Sequence, residues 1–395
     1  MRRLLVLGVS LLVLAAIGGR AHAALLTPGA VFTETNDPAG NVVLAFNRAD
    51  DGTLTPAGSY PTGGTGHTPN PPEGFAPLDS AGPVQLARDG DNRDCLFAVN
   101  AGSDTVSSFR VRSSGLELAD QKPTNGSRPI SLTSTQAGGS RYVMYVLNSD
   151  DGSASIQGYW VAPWCALTPI PGSFHPTTSP TGYPAQISFN LRGTVLAVSE
   201  RYNEPTKTTR GDIDIFPVSR DGVAGAPTVN QTFNNEPYGL AWTKHDILTV
   251  SEGAFPAIGA STASTYRLVG TTLVHIDTKP SPGAACWNRV TNDGKFLYVS
   301  NPAAQFFGGG SETAYAIGKD GTLRQVDGKP TNHSATDNAL SHDSQYLYVL
   351  SNQLFPPLPV SAINEFRIDR ETGVMTPIGS IEIPAGNTLS GLAAW

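Results

Sequence analysis

A unit of about 50 residues recurs six times along this chain, and no other feature limits its fold so tightly. Each copy has a small-polar or proline-containing lead-in, a short apolar strand, a Gly-type turn and a second strand ending in Val-x-Asn or Val-Ser-Glu. The lead-ins read PVQLARDG from Pro83, ISLTSTQAGG from Ile130 and PAQISFNLRG from Pro184. They continue as PYGLAWTKHD from Pro237, CWNRVTNDG from Cys286 and TDNALSHDS from Thr336. The strands after the turn end at Asn100, Asn148, Glu200, Glu252, Asn301 and Ser351/Asn352, spaced 48, 52, 52, 49 and about 50 residues apart. Six matches at so even a period do not arise by accident.

Third strands follow as TVSSFRV, ASIQGYWV, DIDIFPV, STYRLV, ETAYAIG and AINEFRI, then turns such as Asp221-Gly222 and Asp320-Gly321. Short alternating segments between Gly/Asp turns are strand and hairpin signals, with no helical period among them. Four strands per repeat of this length make one blade of a propeller. The chain ends supply a seventh blade. Residues 31–60 hold a second, third and fourth strand but no first, while Ser390 to Trp395 reads as a first strand with nothing after it. Pairing the two removes the exposed sheet edges. The sequence thus predicts an all-β, seven-bladed β-propeller with four-stranded blades, one domain over residues 24–395, closed by its C-terminal strand. A six-bladed ring would orphan one of these halves.

Charged residues are 15% of the chain, and 26 Lys+Arg stand against 33 Asp+Glu for a net −7. Phosphate neutralisation needs a basic surface, so nucleic acid is excluded as a partner. Arg2 and Arg3 precede an apolar run from Leu4 to Ile17, which is short for a membrane span and is followed by Ala21-His22-Ala23. Residues 1–23 are therefore expected to be a cleaved signal peptide, with an uncleaved anchor as the alternative. The product is expected to be a monomer, secreted or periplasmic, with no membrane span. Export permits one disulfide among Cys95, Cys165 and Cys286 and leaves an odd thiol. Spacing does not pair them; buried free thiols are expected, with a Cys95–Cys165 bridge as the alternative. No Cys-x-x-Cys, phosphate-binding loop, dinucleotide fingerprint or Gly-x-Ser-x-Gly elbow occurs, so no metal or cofactor is expected.

Propeller geometry sorts residues onto two faces. Tight turns such as Asn292-Asp293-Gly294 share one face; blade-to-blade lead-ins and the loops after Val-x-Asn/Glu share the other. Long insertions, among them 61–82, 201–211 and 253–264, fall on this loop face, where function is expected.

The units resemble the seven-bladed lactonase family, which includes 6-phosphogluconolactonase and fungal 3-carboxymuconate-lactonising (cyclase) proteins, and within it an exported actinobacterial-type branch. TNDPAGN at Thr35–Asn41, DGTLTPAGSYPTGG at Asp51–Gly64 and FAVNAGSDTVSSFRV at Phe97–Val111 carry the resemblance. PAQISF at Pro184–Phe189, AACW at Ala284–Trp287 and ALSHDSQYLYVL at Ala339–Leu350 add to it, over about Val31–Trp395. The resemblance implies a His, Arg and Glu cluster around the central channel and no obligatory metal. Gln186 stands where the phosphogluconolactonase branch tends to place a His, which speaks against sugar-phosphate hydrolysis.

The residues themselves nominate candidates. Glu200 and Glu252 end second strands where sister blades hold Asn, Ser or Thr. At a channel mouth, such paired carboxylates raise one pKa and create a usable acid or base. Loop capping, as by their Asn sisters, is the plain alternative. Arg201 and Arg128 are the expected holders of a substrate carboxylate or oxyanion, with a salt bridge to Glu200 as the structural alternative for Arg201. Gln186, Tyr238, Trp287, Asn288, Arg289, Asp337 and Asn338 belong to inner strands and are expected to line the channel, with packing between blades preferred for Trp287. His67, His175 and His333 fall in exposed connections.

Two functions are consistent with this pattern. One is an exported lactonase-like hydrolase or lactonising cyclase acting on a small lactone or carboxylate at the channel mouth. The other is a non-catalytic secreted propeller serving as a protein- or glycan-binding platform.

Overall fold

The computed structural model describes residues 29–395 except 68–77, 88–93, 138–140, 150–152, 180–182, 203–209, 255–256, 306–308, 355–356 and 385–388. The leader expected over 1–23 lies outside the described residues. Seven antiparallel sheets are laid down in chain order, and the only helical turn among the described residues is a 3-10 turn at Ile258–Ala260. The short alternating strands therefore form blades, as their period of two requires. Blades are numbered from the split one. Blade 1 comprises Ser390–Ala394, Gly29–Glu34, Val42–Arg48 and Leu54–Pro61, in that spatial order from the axis. Its closure is a ladder pairing Val31 with Ala394 and Phe32 with Ala393, and the Trp395 amide donates to Ala30 O at 2.8 Å. The ring is closed as the chain ends predict.

Blade 3 departs from the pattern at its edge. Its fourth strand is broken into Leu167–Pro169 and His175–Pro176. Three prolines within 169–176 remove ladder donors there, which an outermost strand tolerates.

Adjacent blades are joined by apolar packing and by repeated hydroxyl staples. Tyr145, Tyr298 and Tyr348, all buried on second strands, donate to the carbonyls of Gly222, Gly373 and Gly52 in the next blade at 2.7, 3.0 and 2.8 Å. Each glycine sits at positive φ in the turn before a fourth strand. A buried tyrosine requires a partner for its hydroxyl, and the tight turn supplies one. Cys95 and Cys165 form a disulfide with Cα atoms 5.7 Å apart, tying the second strand of blade 2 to a turn of blade 3, while Cys286 is free and buried. This corrects the expectation of three free thiols: contact between neighbouring blades, invisible in linear spacing, brings the pair together.

Candidate functional site

The innermost strands place one side chain each at a common level of the channel. Aligned by their ladders, Gln85, Thr133, Ser188, Ala241, Arg289 and Ala339 are equivalent. Four of the six are small, and Arg289 of blade 6 is the one charged side chain in the row, 12% exposed. Along the first strand of blade 6 exposure rises away from the loop face. Cys286, Trp287 and Asn288 are buried and Arg289 and Val290 half-buried; Gln85, Leu86, Ser188 and Ala241 are half-buried too. In blade 6 the half-buried positions thus lie toward the turn face, away from the face expected to carry function.

The loop face is closed by the end of the long connection between blades 1 and 2. Asp79–Gly82 crosses the mouth as a strap hydrogen-bonded to blade after blade. The Ser80 hydroxyl donates to Ile130 O at 2.7 Å, the Ala81 amide to Ala185 O at 3.0 Å, and the Trp287 indole N–H to Ser80 O at 2.8 Å. Ser131 Oγ donates to Ala81 O at 2.6 Å, and the Leu132 amide to Gly82 O at 2.9 Å. Arg201 pairs with Asp79, and Tyr238 Oη donates to the other oxygen of that carboxylate at 3.3 Å. The Arg201 guanidinium also lies 5.6–5.9 Å from the ring centres of Tyr183, Tyr202 and Tyr238 and donates to Tyr183 O at 2.9 Å. A buried guanidinium so paired and stacked is anchorage, and its partner is Asp79 rather than Glu200. Tyr238 and Trp287 meet edge to face beneath the strap, 5.0 Å apart. Burial pushes the neighbouring Cys286 thiol well up, keeping it a neutral thiol.

Glu200 and Glu252 are turned outward over their own third strands, not into the channel. Glu252 accepts from the Asn234 amide and Tyr266 Oη on one oxygen, and from Thr262 and Ser264 hydroxyls on the other. Four donors saturate a carboxylate. Glu200 accepts the Ser179 amide at 2.9 Å and shares the Thr178 hydroxyl with Asp214. Burial, then the Asp214 charge, push the Glu200 carboxyl up to about 7. Their Asn sisters do the same work: Asn148 donates to Thr124 O, and Asn301 accepts from Ser281 Oγ. This lead-in capping corrects the expected placement at the mouth. Arg128, at φ 52°, ties blades 2 and 3: its amide donates to Asp104 Oδ1 at 2.7 Å and its Nε to Ser149 O at 2.9 Å.

The inner-strand amides bridge blades. Gln186 forms a two-bond bridge with Leu240, donating to its carbonyl at 3.1 Å and accepting from its amide at 2.7 Å. Asn288 Nδ2 donates to Gly239 O at 2.8 Å. Asn338 Nδ2 donates to Glu312 Oε1 at 2.8 Å, and Ser300 Oγ to Glu312 Oε2 at 2.6 Å. Burial pushes the Glu312 carboxyl up to about 8, so at neutral pH it is mostly protonated.

Around Arg289 these pieces converge. Its guanidinium lies 3.5 Å from Asp337, a fully buried carboxyl at the lead-in of blade 7. Burial pushes Asp337 up to about 6, held from rising further by Arg289 and by backbone N–H groups of Asn338, Gly82 and Leu392. Oδ1 of Asn288 and of Asn338 are buried without a donor among the described residues. Of the expected inner-strand residues, Asn288, Arg289, Asp337 and Asn338 meet here, whereas Gln186 is held by Leu240 and Tyr238 and Trp287 lie under the strap; Glu312 joins the four as a residue sequence reasoning missed. No group of three or more His, Cys, Asp or Glu among the described residues is arranged to hold a metal ion.

The fold is a seven-bladed propeller, and solved structures share it. Two solved structures each named a "putative 6-phosphogluconolactonase" superimpose over nearly their whole length. The one from Bacteroides fragilis has TM-score 0.60 at 18% identity, covering 93% of this chain and 98% of its own. The one from Bacteroides uniformis has 0.62 at 16%, covering 92% and 98%. A Lactobacillus plantarum protein gives 0.66 at 15%, covering 93% and 99%. At such identities the likeness is one of fold. No protein-family model matches the sequence, and neither does any curated protein.

Proposed function

We propose that the protein is a lactonase-like hydrolase acting on a small carboxylate-bearing lactone in the channel beside Arg289. The supporting observation is the partly exposed Arg289 guanidinium, paired at 3.5 Å with a buried Asp337 whose carboxyl sits near 6. A group with that pKa is mostly ionised at neutral pH yet basic enough to accept a proton. Asp337 takes a proton from water as its oxygen attacks the lactone carbonyl, and Arg289 donates to the oxyanion. Collapse breaks the ring C–O bond, and the departing alkoxide recovers the proton from Asp337. Arg289 so placed contributes on the order of 10²–10³ in rate. The Cys95–Cys165 bridge supports the companion reading that the chain is exported to an oxidising compartment.

A panel of carboxylate-bearing and neutral lactones tests this. Turnover of at least one, cut about 10²–10³-fold in Arg289→Ala with the fold retained, is expected. No turnover anywhere, or an unimpaired Arg289→Ala, overturns it. One observation favours the second reading, a non-catalytic platform: the strap Asp79–Gly82 seals the face on which propeller loops usually engage small substrates.

A further inference from the structure

On the turn face, toward the outer strands of blades 2 and 3, lies a groove of about 280 Å³ lined by Asp94, Arg110, Arg112, Pro163, Trp164 and Cys165. We propose that it is a carbohydrate subsite, holding one pyranose ring of a neutral oligosaccharide against the Trp164 indole. It shares no residue with the channel.

The first support is the exposed aromatic. Trp164 is 57% exposed, the highest of the large aromatic side chains among the described residues, yet its backbone is held from several sides. The Cys95–Cys165 bridge fixes the next residue covalently. The Ser108 hydroxyl donates to Cys165 O at 2.6 Å, and Arg110 Nε donates to Trp164 O at 3.0 Å. Within the turn, the Cys165 amide donates to Ala162 O at 2.8 Å and the Ala162 amide to Ala166 O at 2.9 Å, with Cys165 at φ 67°. An indole held rigid and left uncovered costs little further ordering when a flat ligand face settles on it.

The second support is the polar rim. Glu117 lies 3.7 Å from Arg110 Nη1 and 3.6 Å from Arg112 Nε, beyond hydrogen-bond reach, so both guanidinium groups keep donors for a ligand. The Asp94 carboxylate accepts no hydrogen bond among the described residues and supplies the complementary acceptor. Donors and acceptor around an apolar plate match a sugar ring, whose C–H face is apolar and whose hydroxyls both give and accept. The near balance of Arg110 and Arg112 against Glu117 and Asp94 selects a neutral ring over an acidic one. The volume suits a single ring, at the small end of ligand sites.

Titration calorimetry of the full chain with cellotriose, tri-N-acetylchitotriose and xylotriose tests the proposal. At least one is expected to bind saturably with one site per chain, and Trp164→Ala to weaken it tenfold or more with an unchanged thermal midpoint. Arg289→Ala is expected to leave this binding intact, which separates it from the channel. Absence of saturable binding by all three sugars, or a loss smaller than tenfold in Trp164→Ala, overturns the proposal.

Discussion

Arg201 closes on the carboxylate of Asp79, 122 residues earlier in the chain, and the pair pins the strap across one mouth of the channel. Both side chains are largely out of water, at 7% and 18% exposure. Arg201→Met leaves Asp79 without its counter-charge, so a loss of about 3–5 kcal/mol in chemical denaturation is expected. The double variant Asp79→Asn/Arg201→Met is expected to recover part of that loss. A single variant with unchanged stability would show that the strap is not latched in solution.

The disulfide closes a span of 70 residues and crosses between blades. Cys95→Ala/Cys165→Ala frees the denatured chain, and a loss of about 4 kcal/mol is expected from loop-closure entropy. The same shift should follow reduction of the wild type by dithiothreitol, measured by thermal unfolding, and the double variant should be indifferent to reductant.

Glu200 gives stability a definite pH dependence. Burial and Asp214 raise its folded-state carboxyl to about 7, above its unfolded value, so its contribution is fully present below about 4.5 and is lost as pH rises through about 7. Glu200→Gln keeps an oxygen for the Ser179 amide and offers an amide to Asp214. It is expected to be about 1–3 kcal/mol more stable than wild type at pH 8 and nearly equal at pH 4.5. The reverse order, read from denaturation at the two pH values, would contradict the assignment.

Gly239 is packed between two inner strands, and a Cβ there would run into Cys286 O, a backbone atom that cannot swing aside. Gly239→Ala is therefore expected to part blades 5 and 6 at a cost of about 1–3 kcal/mol, measured as a lowered denaturation midpoint. Gly172→Ala meets no atom within 4 Å and is expected to cost less, through its φ of +73° alone.

The repeat made the ring legible because a blade is a local object: strand alternation, turn residues and period all lie within 50 or so residues. Closure was legible too, since Ser390 to Trp395 had no partner but the start of the chain. The chemistry was less so. Glu200 and Glu252 stood out against Asn sisters, yet Asn and Glu perform the same capping, one donating and accepting, the other only accepting. Glu312 was the better anomaly. In its ladder row the third strands of blades 2, 3, 4, 5 and 7 carry Val106, Ile156, Ile213, Ala263 and Ile363, so one carboxyl stands in an otherwise apolar line. Aligning third strands, not just the ends of second strands, exposes it. The strap was out of reach, because nothing in Asp79-Ser80-Ala81-Gly82 says which blades it will touch.

Closure of blade 1 by Ser390–Ala394 also orders events in time. Until that strand is synthesised, Gly29–Glu34 has an unpaired inner edge and the other blades form an open arc. Any chaperone or protease meeting the nascent protein meets that edge, and the last ladder to form is the one that ends its vulnerability.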